Sequence, residues 1–282
     1  MRLLVLGASG FIGGAVYRLA HESHVEVFGT SRRDAAGFVS LQNTSIDEVR
    51  RVLKDLGPDV VVNAIGSGVT PGTSSKQEMD HANSLLAKSL VSLATDGALP
   101  PFRLIHLASS RRRSGFHRND DYVVTKEEAT NFVLEALSAG LNGCSLEVFN
   151  TYGPGQPEGR LVNLVVRGGI DRSDLILETP SHVRDFVHLD DVAQAVIRVA
   201  GSKNSPKQSV EIGTGVPTTV AELAHLAYKL AAAETSRIVT GNLSEPAVVE
   251  VADIRPAEEA FGWRAEISLR DGLKQMIDLA KA

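Results

Sequence analysis

The stretch Gly7-Ala8-Ser9-Gly10-Phe11-Ile12-Gly13 decides the fold. Leu3-Leu4-Val5-Leu6 runs into it as a short apolar segment, the pattern of a buried strand, and Ala15-Val16-Tyr17-Arg18-Leu19-Ala20 follows as the first turns of a helix. Strand, glycine turn and helix together make three glycines at this spacing a dinucleotide site rather than an ordinary glycine-rich loop. Gly7 permits the tight turn, Gly10 lets backbone approach a pyrophosphate, and Gly13 lets the helix pack close to the strand. The phosphates are then expected on the N–H groups of the segment Ser9 to Gly13, with Phe11 and Ile12 at the positive end of the helix.

Composition narrows the classes. A chain of 282 residues with 43% hydrophobic content can bury one large core or two unequal ones. A formal net charge of -5 disfavours nucleic acid and anionic membrane as partners. One cysteine, Cys144, excludes an internal disulfide and fits a reducing cytoplasm. No apolar run approaches the ~20 residues of a membrane span. Met1 to Leu6 faintly resembles a signal peptide, but glycines arrive early and no small-residue cleavage site follows. No metal-ligand spacing is present.

The next strand, Val25 to Gly29, leads into Thr30-Ser31-Arg32-Arg33. A carboxylate at this position holds the ribose hydroxyls of NAD. Ser31, Arg32 and Arg33 instead suit a 2′-phosphate, so the cofactor expected is NADP, with NAD second; a solvated pair of loop arginines is the plain alternative. Asp59 to Gly66 reads as a buried strand whose small end residues, Ala64 among them, let the cofactor lie across it. Met79 to Ala94 has helical period, with Leu85, Leu86, Leu90, Val91 and Leu93 on the apolar side. Arg103 to Ala108 is another strand, ending in Ser109-Ser110, and Leu146 to Phe149 a later one, preceded by Cys144 as a small buried residue. Strands alternating with helices across long gaps predict an α/β, doubly wound parallel sheet, with ligands at the carboxyl ends of its strands.

Tyr122 and Lys126 open a helix reaching about Ala139, and a spacing of four puts them on one face. An ammonium beside a phenol favours the phenolate, so such a tyrosine can exchange a proton with a carbonyl or alcohol oxygen. A serine from the preceding strand end can hold the same oxygen.

In these residues the chain resembles the extended short-chain dehydrogenase/reductase family, in its NAD(P)-dependent sugar-nucleotide epimerase/dehydratase group. The resemblance runs nearly end to end: the glycine turn, Asn83, Ser109-Ser110, Tyr122 with Lys126, Phe149-Asn150-Thr151-Tyr152-Gly153-Pro154-Gly155, the block Arg184 to Ala193, and Phe261-Gly262-Trp263. It implies a Rossmann-type domain at 1–150 with a return near 186–213, and a smaller substrate cap from 151–185 and 214–282. It implies Ser110, with neighbouring Ser109 as the second choice, Tyr122 and Lys126 as the catalytic set, Tyr122 and Lys126 also touching the cofactor. Ser110, Asn150 and Arg184 are implied to touch a nucleotide sugar, Arg184 at its diphosphate. The plain alternatives are a turn-forming Asn150 and an Arg184 salt-bridged to Asp185 or Asp190. His188 is expected to be packed and hydrogen-bonded rather than catalytic.

Departures from the family pattern are informative. Arg111-Arg112-Arg113 stand where the dehydratases carry an acid pair, which argues against a 4,6-dehydratase; the arginines either line the substrate mouth or form a solvated loop. Gln42 and Asn43 stand near the adenine position where an aspartate is common, Glu147 replaces an arginine, and only Arg255 could serve as a second phosphate ligand. The segment Gln156 to Val183 is short for a full epimerase. The first expectation is therefore NADPH-dependent reduction of a nucleotide-linked 4-keto-6-deoxy sugar. The second is an NAD-dependent 4-epimerase, and a third, from another class, is a non-catalytic NADP sensor. Met79 to Ala94 and Tyr122 to Ala139 could pair in a homodimer.

Overall fold

The apolar run before the glycine turn becomes β1 (Arg2–Leu6), and its Leu3 to Leu6 side chains are fully buried. The computed structural model describes residues 1–33, 35–70, 72–113, 120–240 and 247–282, with the side chains of residues 112 and 113 outside that description. The elements continue with α1 (Phe11–Glu22), β2 (Glu26–Ser31), β3 (Phe38–Ser40), α2 (Ile46–Leu56) and β4 (Val60–Asn63). Then come α3 (Lys76–Met79), a π-helical stretch Asp80–Leu85, α4 (Leu86–Thr95), β5 (Arg103–Ser109), α5 (Asp121–Ser138) and β6 (Gly143–Val148). With β11 (Val210–Ile212), these strands form a seven-stranded sheet in the order β11-β6-β5-β4-β1-β2-β3, and every neighbouring pair is parallel. The chain thus steps outward from β1 to β3 and restarts at β4 on the other side. That reversal places a crevice outside the carboxyl ends of β1 and β4.

Both faces of the sheet are covered, as parallel strands with apolar runs require. Val5, Val62, Ile105 and Leu146 pack toward α1 and α7 (Leu189–Gly201), while Leu4, Val61 and Leu104 pack toward α2, α4 and α5. The remaining elements build a separate apolar cluster around Val165, Leu223 and Leu273, from α6 (Leu161–Asp171), α8 (Val220–Leu230) and α10 (Leu269–Lys281). Short strands surround it. β7 (Asn150–Tyr152) pairs with β10 (Phe186–His188), β8 (Leu175–Leu177) with β13 (Ile238–Thr240), and β9 (Val183–Arg184) lies between β12 (Thr218–Thr219) and β14 (Val249–Glu250). Helix α9 (Arg255–Phe261) packs on β11.

Three local expectations change. The helix expected from Met79 begins at Lys76, where Ser75 and Glu78 form a capping box, and it contains the wide turn Asp80–Leu85. Leu85 closes that turn and faces outward, unlike Leu86, Leu90, Val91 and Leu93, which are buried. Cys144 does not precede its strand but lies within β6, fully buried. The strand expected to Gly66 ends at Asn63, where the Asn63 side chain turns back to accept the Ile65 N–H (3.3 Å).

Candidate active site

The glycine turn is built from its own backbone. Gly7 has φ +83°, a conformation that costs a side-chain-bearing residue energy, and its N–H donates to Thr30 Oγ1 on β2 (3.1 Å). A Cβ on Gly13 would collide with the Gly7 carbonyl, so α1 and β1 meet as closely as they do because Gly13 has none. A Cβ on Gly10 would meet only the Gly7 carbonyl, at 3.2 Å, so its outer side is open. Gly10 caps α1 without a side-chain hydrogen bond, and no acidic residue occupies the first turn. The first N–H groups of α1 are therefore left to an external acceptor, which suits a pyrophosphate.

A groove of about 1000 Å³ runs from this turn across the strand ends, and Gly7, Ser9, Gly10, Ser31, Arg32 and Ala64 all line it. Gln42 and Asn43 line it as well. Phe11, again with Ser9 and Gly10, lines a second groove of about 610 Å³ toward Pro154 and Pro157. Ile12 is half-buried and Gly13 buried within α1. Ser31 is buried and its Oγ accepts the Arg33 N–H (3.3 Å), while the Arg32 and Arg33 side chains are exposed. The groove also holds Glu78. Its carboxyl is held below the usual range by hydrogen bonds from Ser75 and, to a smaller degree, by the charge of Arg32.

Beyond this groove, β5 ends in Ser109, and a single 3₁₀ turn begins with Ser110, which is buried. Tyr122 and Lys126 lie in the first turns of α5, both at 6% exposure. Asp120 starts that helix by accepting the Tyr122 N–H (2.9 Å). Lys126 Nζ donates to the Leu107 carbonyl of β5 (2.6 Å), and burial lowers its pKa to about 8. His106, fully buried nearby, is held well below the usual imidazole range by burial and by the Lys126 charge. Asn83 of the π-helical stretch ties the loop after β4 to α5. Its Nδ2 donates to the Ser67 carbonyl (3.0 Å) and to Thr125 Oγ1 (2.9 Å), while Oδ1 accepts the Ser67 N–H (2.9 Å).

Two arginines near Tyr122 were not assigned to it from the sequence. The Arg111 guanidinium lies over the Tyr122 ring, 5.5 Å from its centroid, and pairs with Asp120 (3.3 Å). Arg160 is half-buried at the N-cap of α6. Burial pushes it below its usual range; the Tyr122 oxygen opposes that shift and Arg111 adds to it. The one local signal for Arg160 is an arginine at an N-cap, a position that favours short polar side chains. The side chains of Arg112 and Arg113 lie outside the described residues.

The second-half residues divide differently. Asn150 is the first residue of β7 rather than a turn former, and its buried Nδ2 makes no hydrogen bond among the described residues. Arg184 pairs not with Asp185 or Asp190 but with buried Glu250 on neighbouring β14 (2.6 Å). Asp185 is occupied otherwise: it accepts the N–H groups of Thr214 (2.8 Å), Gly215 (2.8 Å) and Ala252 (3.2 Å) and the Thr214 hydroxyl (2.7 Å). Asp190 pairs with Arg18 (2.5 Å). His188 is fully buried, set edge-on against Tyr152, and accepts the Asp190 N–H at Nδ1 (3.2 Å). Arg255 is exposed and paired with Asp253 (2.7 Å). Among the described residues, no group of three or more His, Cys, Asp and Glu side chains is placed to hold a metal ion, and no helix is long and apolar enough to cross a membrane.

Comparison with known proteins bears on the family and the fold. The model of the NAD dependent epimerase/dehydratase family matches residues 3–213. The dTDP-6-deoxy-L-talose 4-dehydrogenase (NAD(P)(+)) of Kitasatospora kifunensis is 27% identical over 304 residues, covering 98% of this chain and 94% of that protein. Among solved structures, UDP-glucose 4-epimerase of Thermotoga maritima with UDP-glucose superposes with a TM-score of 0.85 at 19% identity, over 100% of this chain and 99% of that one. MoeE5 in complex with UDP-glucose and NAD gives 0.83 at 23% identity, with the same coverage. At such identities these structures establish the fold.

Proposed function

The chain belongs to the NAD dependent epimerase/dehydratase family, and from that premise we propose that it is an NADPH-dependent reductase of a nucleotide-linked 4-keto-6-deoxy sugar. The observation that carries the reading is Arg32, which lines the cofactor groove at the end of β2 where a carboxylate would select NAD. Ser9, Gly10, Phe11 and Ile12 hold the pyrophosphate, Ala64 lets the cofactor cross β4, and Ser31, Arg32 and Arg33 take the 2′-phosphate. When bound, NADPH supplies the hydride for the ketone carbon. Tyr122 gives its phenolic proton to the ketone oxygen, and Ser110 holds that oxygen by a hydrogen bond. Lys126 holds the nicotinamide ribose and supports Tyr122. Asn150, with its buried amide nitrogen, contacts the sugar, and Arg184, already bridged to Glu250, offers its remaining donors to the diphosphate. The relative from Kitasatospora kifunensis, named for oxidation at the same sugar carbon, supports the substrate class.

The nucleotide-binding part is residues 1–150 with the return at 186–213, and residues 151–185 and 214–282 form the cap; the separate apolar cluster around Val165 and Leu223 supports this division, except that Ala252, Ala257 and Trp263 pack with the main sheet. A second copy of the chain is the expected partner. Leu85, Val124 and Phe132 are exposed on the helices 76–95 and α5, around the Lys88–Glu128 ion pair (2.5 Å). One buried cysteine suits the cytoplasm.

One observation favours a second reading, an NAD-dependent 4-epimerase: Glu78 brings a carboxylate into the groove near Arg32, which opposes a 2′-phosphate. The test is an assay of NADPH consumption with a panel of nucleotide-linked 4-keto-6-deoxy sugars. Stoichiometric oxidation of NADPH supports the reductase. Inversion at the sugar C4 of an NDP-hexose, with no net change in cofactor, supports the epimerase instead.

A further inference from the structure

Arg111 follows Ser110 directly and ends up against Tyr122 from the other side of the site. Its guanidinium covers the Tyr122 ring at 5.5 Å, within the range of a cation–π contact. The same group reaches two other elements. Nη1 donates to the Val69 carbonyl in the loop after β4 (3.3 Å), and Nη2 donates to Asp120 Oδ2 at the start of α5 (3.3 Å). Asp120 in turn uses Oδ1 to accept the N–H of Tyr122 itself (2.9 Å). Val69 and Met79 belong to the small apolar cluster that holds Tyr122 and Val123. The arginine therefore ties together the loop after β4, the Ser110 turn and the helix that carries the phenol. It is three-quarters buried, so the arrangement is not a solvated surface pairing.

We propose that Arg111 is a positioning residue for Tyr122: its fork fixes the phenol ring in one pose between Val69, Met79 and the Asp120 cap. Its effect on turnover rests on the reading of Tyr122 as the proton donor. The fixing of the ring does not, so the two can fail separately. Small misplacements of an acid–base group have large kinetic consequences, which gives a clamp of this kind its use.

The test has two arms. In the first, the cofactor-free protein is labelled with 3-fluorotyrosine and the Tyr122 resonance is assigned by its loss in Tyr122→Phe. A clamped ring gives sharp, separate signals for its two orientations. In Arg111→Gln these signals merge into one averaged line, and Arg111→Lys, which keeps the charge but lacks the planar fork of separated donors, gives an intermediate spectrum. In the second arm, oxidation of dTDP-6-deoxy-L-talose with NADP⁺ is followed. Arg111→Gln lowers kcat about 10-fold or more and moves KM less than about 3-fold, and Lys restores part of kcat. Should Arg111→Gln not fold, Asp120→Asn keeps a cap acceptor and loses the ion pair, and it shows the same effects more weakly. An unchanged fluorine spectrum overturns the clamp. A merged spectrum with unchanged kcat overturns the positioning role in turnover, and so does a rise in KM alone, which makes Arg111 a substrate ligand. If the wild type is inactive on this sugar, the fluorine arm alone decides.

Discussion

At the glycine turn, the N–H groups that open α1 meet no capping side chain, and the open side of Gly10 faces a groove. In the block Arg184 to Asp191, each charged group is already bound to another part of the chain: Arg184 to Glu250, Asp185 to three backbone N–H groups, Asp190 to Arg18, and Asp191 to the N–H groups of Glu266 (3.1 Å) and Ile267 (3.0 Å). Both regions stand out equally as sequence motifs. The first leaves its hydrogen-bonding capacity unspent, as a ligand site must, and the second spends most of its own within the chain, on the cap strands, α1 and the C-terminal segment, with only the remaining Arg184 donors left for a ligand. A motif is therefore no guide to chemistry until its donors and acceptors are counted.

The contrast can be broken by substitutions, the largest effect first. Tyr122→Phe should lower turnover at least ~100-fold, the scale of general acid catalysis, with cofactor affinity nearly unchanged. Near-normal turnover would remove Tyr122 from its role. On the open side, Gly10→Val should abolish cofactor binding in calorimetry while circular dichroism and the melting profile stay close to wild type, because the added side chain stands where a pyrophosphate must approach. On the closed side, Asp185→Asn should do the reverse. Loss of a buried charge that accepts from several donors should cost about 3 kcal/mol in urea unfolding and leave cofactor affinity little changed.

Lys126 shares features of both regions, being buried like the closed block and placed by the proposal in the catalytic set. Its pKa falls from 10.5 to about 8 on burial, so between those values the unfolded chain binds more protons than the native one. Stability from this group therefore rises as pH goes from about 8 toward 10.5 and is missing below that window. Lys126→Met should raise the melting temperature of the cofactor-free protein at pH 7, lose turnover and some cofactor affinity, and show an advantage that shrinks through that same window. An advantage independent of pH would mean that burial of the ammonium is not its source. The smallest effect is expected at Glu78→Gln, which should tighten NADP about 2-fold relative to NAD by removing an exposed like charge from the groove.

What could be read from the sequence follows the same line. Gly7, Gly10 and Gly13 act through local backbone geometry, and the alternation of strands and helices implies a parallel, doubly wound sheet, so the fold of the first half was legible in the sequence. Tyr122 and Lys126 sit four apart on one helix, and that too is local. Arg160 feels the Tyr122 oxygen across 38 positions, between two helix starts, and Arg184 reaches Glu250 across 66, between strands too short to show a period. The wide turn at Asp80–Leu85 has no side-chain signature, and it moved Leu85 off the face that its spacing implied.

The central claim is that the open groove is shaped for NADPH, and calorimetric titration of the purified protein with NADPH and NADH tests it most directly. A charge-assisted hydrogen bond from Arg32 to the 2′-phosphate contributes about 1.5–3 kcal/mol, or roughly 10- to 150-fold in affinity. The wild type should therefore prefer NADPH by at least about 10-fold, and the double change Ser31→Asp, Arg32→Asn should invert that preference. Equal affinities in the wild type would contradict the account and put the epimerase reading first.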